Sequence, residues 1–108
     1  MTIKNKVSIL IESALNEAHN QGLLPLASSR DISVERPQRS DHGDLASSTP
    51  LKLARSFRLQ PIHIAEILLP LIPVSDEIDK AWIVAPGFIN FELSKDWLTG
   101  QLEEIIRL

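Results

Sequence analysis

Cysteine is absent from the 108 residues, which excludes a disulfide framework and any zinc site built on thiolates. Glycine is scarce: the four stand apart at 22, 43, 87 and 100, too scattered for a loop that cradles phosphate. Long apolar runs are missing too. The apolar stretch Ile67 to Val74 is broken by Pro70 and Pro73 and falls far short of a membrane span. The opening segment has no secretory pattern, because Lys4, Lys6, Glu12 and Glu17 interrupt its apolar positions; a reducing, cytoplasmic compartment is the expectation. Nor is there an excess of positive charge. The net charge of −3 argues against a free-standing nucleic-acid binder held by bulk electrostatics.

What is present fits one globular domain spanning 1–108, with 44% hydrophobic and 23% charged residues. Charge is unevenly spread. The middle third carries Arg30, Arg36, Arg39, Lys52, Arg55 and Arg58, whereas the part after residue 58 is strongly acidic. Arg36, Arg39, Lys52 and Arg55 are therefore candidate phosphate contacts, although a solvated face has the same composition.

Val7, Leu10, Ile11, Ala14, Leu15 and Ala18 recur at helical spacing behind Thr2, and Gly22 and Pro25 end the pattern. Ile32 to Glu35 alternates apolar and polar and predicts a short strand, stopped by Arg36-Pro37. A polar turn leads to a brief extended segment at Leu45-Ala46. Two short helices follow, about Ser48 to Phe57 and from Pro61 to Pro70. Asp79–Val84 and Phe88–Leu93 flank Ala85-Pro86-Gly87 as a hairpin, and Ser94 opens a last helix bearing Trp97, Leu98, Leu102, Ile105 and Ile106. Helices segregate from antiparallel strands, so the class is α+β, with helices on one face of the sheet.

No catalytic constellation emerges. Ser47, Ser48 and Thr49 have no identifiable base and read as helix-capping residues. Asp41-His42-Gly43-Asp44 collects metal-capable side chains, but a polar turn accounts for them, and His19 and His63 stand on separate helices. No metal, no cofactor and no enzymatic activity are expected of this chain.

The hairpin is more informative. Side chains alternate across a strand, so Ile89, Phe91 and Leu93 form the core face of the second run and Phe88, Asn90 and Glu92 the other. If Ala81 and Ile83 face the core, Trp82 joins Phe88 and Asn90 on the open side. Two rings beside an amide suit an unstacked base, which packs on an aromatic face and exchanges hydrogen bonds along its edge. Burial beneath a helix or a neighbouring domain is the competing account.

The run from Val34 through Arg36-Pro37-Gln38-Arg39-Ser40-Asp41-His42-Gly43-Asp44-Leu45-Ala46, followed by Leu51-Lys52-Leu53-Ala54-Arg55, resembles the N-terminal additional domain of arginyl-tRNA synthetase. Ala85-Pro86-Gly87-Phe88-Ile89-Asn90-Phe91 is similar to that family's Gly-Pro-Gly-Phe-Ile-Asn-Phe hairpin. The likeness covers essentially the whole chain. It departs from the family at Leu45, where an aromatic is usual, at Ser48, where an Asn is usual, and at Ala85.

The resemblance implies a two-layer α/β fold with a four-stranded, mainly antiparallel sheet in the order helix–two strands–helix–two strands. It implies a module that docks on the elbow of tRNA-Arg and recognises base 20 of the D-loop, with Phe88 stacking, Asn90 reading the base edge and Trp82 beside them. The His-Ile-Gly-His-type and Lys-Met-Ser-Lys-type signatures of the catalytic domain do not occur. ATP and arginine are thus expected only where catalytic and anticodon-binding domains are present, and the parent's catalytic domain is an expected partner. A protein-interaction or structural domain without RNA contact is the alternative.

Overall fold

The computed structural model describes residues 2–37 and 43–94. The helix expected after Ser94 and the side chain of Arg39 lie outside the described residues.

Helix α1 (Ile3–Asn20) begins where Thr2 accepts a hydrogen bond from the Asn5 N–H at 3.2 Å. It buries Val7, Leu10, Ile11, Ala14, Leu15 and Ala18, the six positions that the spacing singles out. Its end is a Schellman motif: the Leu23 N–H donates to the Ala18 carbonyl at 2.8 Å and the Gly22 N–H to that of His19 at 3.0 Å. Gly22 holds φ +75°, which a side chain would oppose. A 3-10 turn follows at Ser29–Asp31, capped by the Ser28 hydroxyl.

Strand β1 is Leu45–Ser47, helix α2 Thr49–Phe57, helix α3 Pro61–Leu68, strand β2 Ile78–Val84 and strand β3 Phe88–Leu93. A 3-10 turn, Leu69–Leu71, closes α3 at Pro70. The sheet runs β1-β3-β2, antiparallel throughout. The hairpin strand β3 is thus central, paired with β1 through Leu45–Phe91, Ala46–Asn90 and Ser47–Ile89. At the start of β2 the Ser75 hydroxyl donates to the Glu77 carboxylate and holds its carboxyl below the usual range.

Four strands are expected from the sequence; the described residues hold three. Ile32 to Glu35 contributes one bridge, in which Glu35 and Ala46 exchange N–H···O bonds at 2.8 and 2.7 Å. The reason lies in where the other backbone donors go. The Ile32 N–H turns back to Ser29, and the Ser33 N–H is taken by Thr49 Oγ1 at 3.1 Å. In the alternation that faces β1, Glu35 is left between the diverted Ser33 and Pro37, which has no N–H to give.

Ser47 and Thr49, both fully buried, share a hydroxyl bond at 2.7 Å, and Ser47 Oγ accepts the Thr49 N–H. The capping role expected of this triplet thus falls to Ser47. Ser48 makes no side-chain bond back to α2 and pairs with the Ser33 hydroxyl at 2.8 Å. Together these bonds satisfy the buried oxygens, whose desolvation would otherwise be costly.

Leu45, Ile89, Phe91 and Leu93 meet Leu53 of α2, Ile64, Ala65 and Leu68 of α3, and the apolar stripe of α1 in one core. Helices α2 and α3 contact β3, while α1 packs on α3 and the turn after it. The helices therefore cover one face of the sheet.

Helix α2 ends at Arg58 in the left-handed region, φ 56°, ψ 41°. A side chain there is disfavoured by roughly 1–2 kcal/mol, partly offset because glycine frees the unfolded chain. Arg58→Gly is therefore expected to stabilise the chain by about 0.5–1 kcal/mol, read as a raised thermal midpoint; a lowered one would contradict this account.

Candidate nucleic-acid interface

The face of the sheet opposite the core is defined by cross-strand pairs. Val84 stands opposite Phe88, Trp82 opposite Asn90, and Lys80 opposite Glu92. Directly opposed residues project to the same side, so Trp82, Phe88 and Asn90 share one face, with Ala46 on the other flank of Asn90. Ala81 and Ile83 pack against the core, which is the strand phase read from the sequence.

Exposure differs from the expectation at one of the three. Phe88 and Trp82 are half-buried, but Asn90 is only 2% exposed, not open to water as the alternation alone implies. The Trp82 indole reaches across this face. A Cβ placed on Gly43 would stand 2.8 Å from Trp82 Cη2 and 2.7 Å from the Phe91 carbonyl oxygen. Gly43 precedes β1 and Trp82 belongs to β2, so the two meet over the central strand. The indole therefore lies over β3 on the side that Asn90 shares.

Gly43 itself has φ +94° and is followed by the residue that fastens this turn. The Asp44 N–H donates to the Phe91 carbonyl at 2.8 Å, and the Asp44 carboxylate accepts the Leu93 N–H at 2.9 Å. A side chain thus takes the place of a strand carbonyl beyond the end of β1. Sequence reading treats Asp44 as part of a polar turn, and no local signal marks a bond that joins residues 49 positions apart.

Three of the four candidate phosphate contacts lie among the described residues. Lys52 and Arg55 are exposed on α2, in the layer on the other side of the sheet, and Arg36 is exposed after the Glu35 bridge. Among the described residues no group of three or more His, Asp or Glu is placed to hold a metal. No described helix is long and apolar enough to cross a membrane.

The chain is similar to arginine–tRNA ligases. That of Dehalococcoides mccartyi strain BAV1 is 40% identical over 106 residues, 98% of this chain and 19% of the ligase. That of Alcanivorax borkumensis is 36% identical over 104 residues, 96% of this chain and 18% of the ligase. The chain therefore spans less than a fifth of the length of these relatives. Its fold matches the Thermus thermophilus arginyl-tRNA synthetase with a TM-score of 0.77 at 23% identity, over 93% of this chain and 15% of that one. The model of the arginyl tRNA synthetase N terminal domain matches residues 5–93, and the chain belongs to that family.

Proposed function

We propose that this chain is the tRNA-recognising module of an arginine–tRNA ligase, reading base 20 in the D-loop of tRNA-Arg. The observation that carries the reading is the register, which gives Trp82, Asn90 and Phe88 one shared face on a strand whose other face is core. Phe88 and Trp82 offer partly accessible rings, and stacking on such rings contributes ~1–3 kcal/mol per base whatever its identity. The amide of Asn90 supplies paired donor and acceptor for a base edge. That amide is only 2% exposed, so edge reading requires the groups over it to give way as the base enters.

In this role the module supplies position and identity. Arginine activation with ATP, and transfer to the tRNA, belong to the catalytic part of the ligase, which is the module's protein partner. Arg36 and Arg39 would add phosphate contacts, and Lys52 and Arg55 would meet the RNA backbone from the helical layer, away from the base. With a net charge of −3, binding by the chain itself is weak and modestly salt-dependent.

The enclosure of Asn90 favours a second reading, in which this face is a structural surface covered by the rest of the ligase. Titration of the chain with tRNA-Arg at low salt separates the two. Recognition predicts that Phe88→Ala weakens binding roughly tenfold, and that changing base 20 has an effect of similar size on the unaltered chain. Affinity indifferent to both changes would leave the structural reading in place.

A further inference from the structure

We propose that Asp44 is a positioning residue of this interface, acting through Trp82. The inference rests on the recognition reading above and adds to it the device that sets the ring. Asp44 is bonded twice to β3, through its own N–H to the Phe91 carbonyl and through its carboxylate to the Leu93 N–H. Those two bonds lie on either side of Glu92, which shares the outer face with Asn90 and stands one residue pair from Trp82. They fix the height of Gly43 above the central strand.

Gly43 in turn meets the indole so closely that not even a methyl group fits between them and the Phe91 carbonyl. The turn is therefore the seat of the ring. A half-buried indole has two χ angles to settle, and a backbone surface at van der Waals distance removes one side of that freedom. A recognition ring held in place before its ligand arrives loses less freedom on binding. Release of the Asp44 carboxylate frees the Leu93 N–H, lets the turn lift, and leaves Trp82 without its seat. No contact between Asp44 and the RNA is required.

The test compares the unaltered chain with Asp44→Ala and Asp44→Asn. The amide oxygen of the Asn variant still accepts the Leu93 N–H, whereas Ala offers no acceptor. Three readouts are taken: hydrogen exchange at the Leu93 amide, the chemical shift of the Trp82 indole N–H, and affinity for tRNA-Arg with the native and a changed base 20. Asp44→Ala is expected to speed exchange at Leu93 about tenfold, to move the indole signal and to weaken binding about fivefold. Asp44→Asn is expected to restore all three.

Binding that fails to follow the Leu93 amide overturns the proposal, whether Asp44→Ala frees the amide without weakening binding or Asp44→Asn weakens binding with the amide still protected. The latter result would mean that the carboxylate charge acts on the ligand directly. Absence of base-20 dependence in the unaltered chain overturns the recognition reading and this role with it. That failure is distinguishable because it appears before any substitution is made.

Discussion

Phe91→Ala is expected to lower the stability of the chain by about 3–5 kcal/mol, the largest effect of any single truncation considered. Phe91 is fully buried and sits in the central strand, opposite Leu45 on one side and Ala81 on the other. Its ring is shared by the sheet and the helical layer, so the space left behind cannot be filled from one side alone. A loss of that size is a large part of the roughly 5–15 kcal/mol that holds a small domain folded. Urea unfolding followed by circular dichroism measures it directly. Phe88→Ala, three residues earlier on the opposite face, provides the contrast. Its ring is half-buried, and its removal should cost well under half as much. Equal losses at the two positions would mean that the outer face is as fully packed as the core.

Gly43→Ala is expected to cost about 2–4 kcal/mol, combining a left-handed backbone with a steric conflict. The conflict is with the Phe91 carbonyl and the Trp82 ring. The carbonyl belongs to the central strand and has little room to yield, so relief has to come from the indole or from the turn itself. Two signatures should therefore appear together: a lower unfolding midpoint and an altered Trp82 signal. A midpoint within about 1 °C of the unaltered chain would show that the turn accommodates a methyl group, which a clash of this kind does not allow. Gly22→Ala offers the comparison, because nothing lies within 4 Å of its added Cβ and only the backbone term applies.

Much of the architecture was legible in the sequence because it is locally encoded. The stripe of α1 and its glycine stop follow from spacing and capping within 22 residues. The hairpin and the phase of β3 follow from a turn of three residues and alternation, while the phase of β2 comes from the family resemblance. What escaped depends on bonds between distant segments. The Ser33 N–H is diverted to Thr49, 16 residues away, and this deprives Ile32 to Glu35 of a strand's ladder. At the site, alternation correctly assigns Asn90 to the face of Phe88 and Trp82 but says nothing of how deeply Asn90 is buried there. The partnership of Gly43, Asp44 and β3 is likewise invisible in a string where they lie almost 50 positions apart.

The strand order has a consequence for biosynthesis. Both β1 and β2 hydrogen-bond only to β3 within the sheet, and β3 is the last of the three to be translated. Until Phe88–Leu93 has left the ribosome, β1 has the Glu35 bridge but no β3 partner, and Leu45 waits for a residue 46 places downstream. Helices and the β2–β3 hairpin form from neighbours, but pairing β1 with β3 closes a long loop, which slows it. Leu45 therefore stays without its β3 partner while α2, α3 and β2 emerge, the interval in which holding factors would matter most.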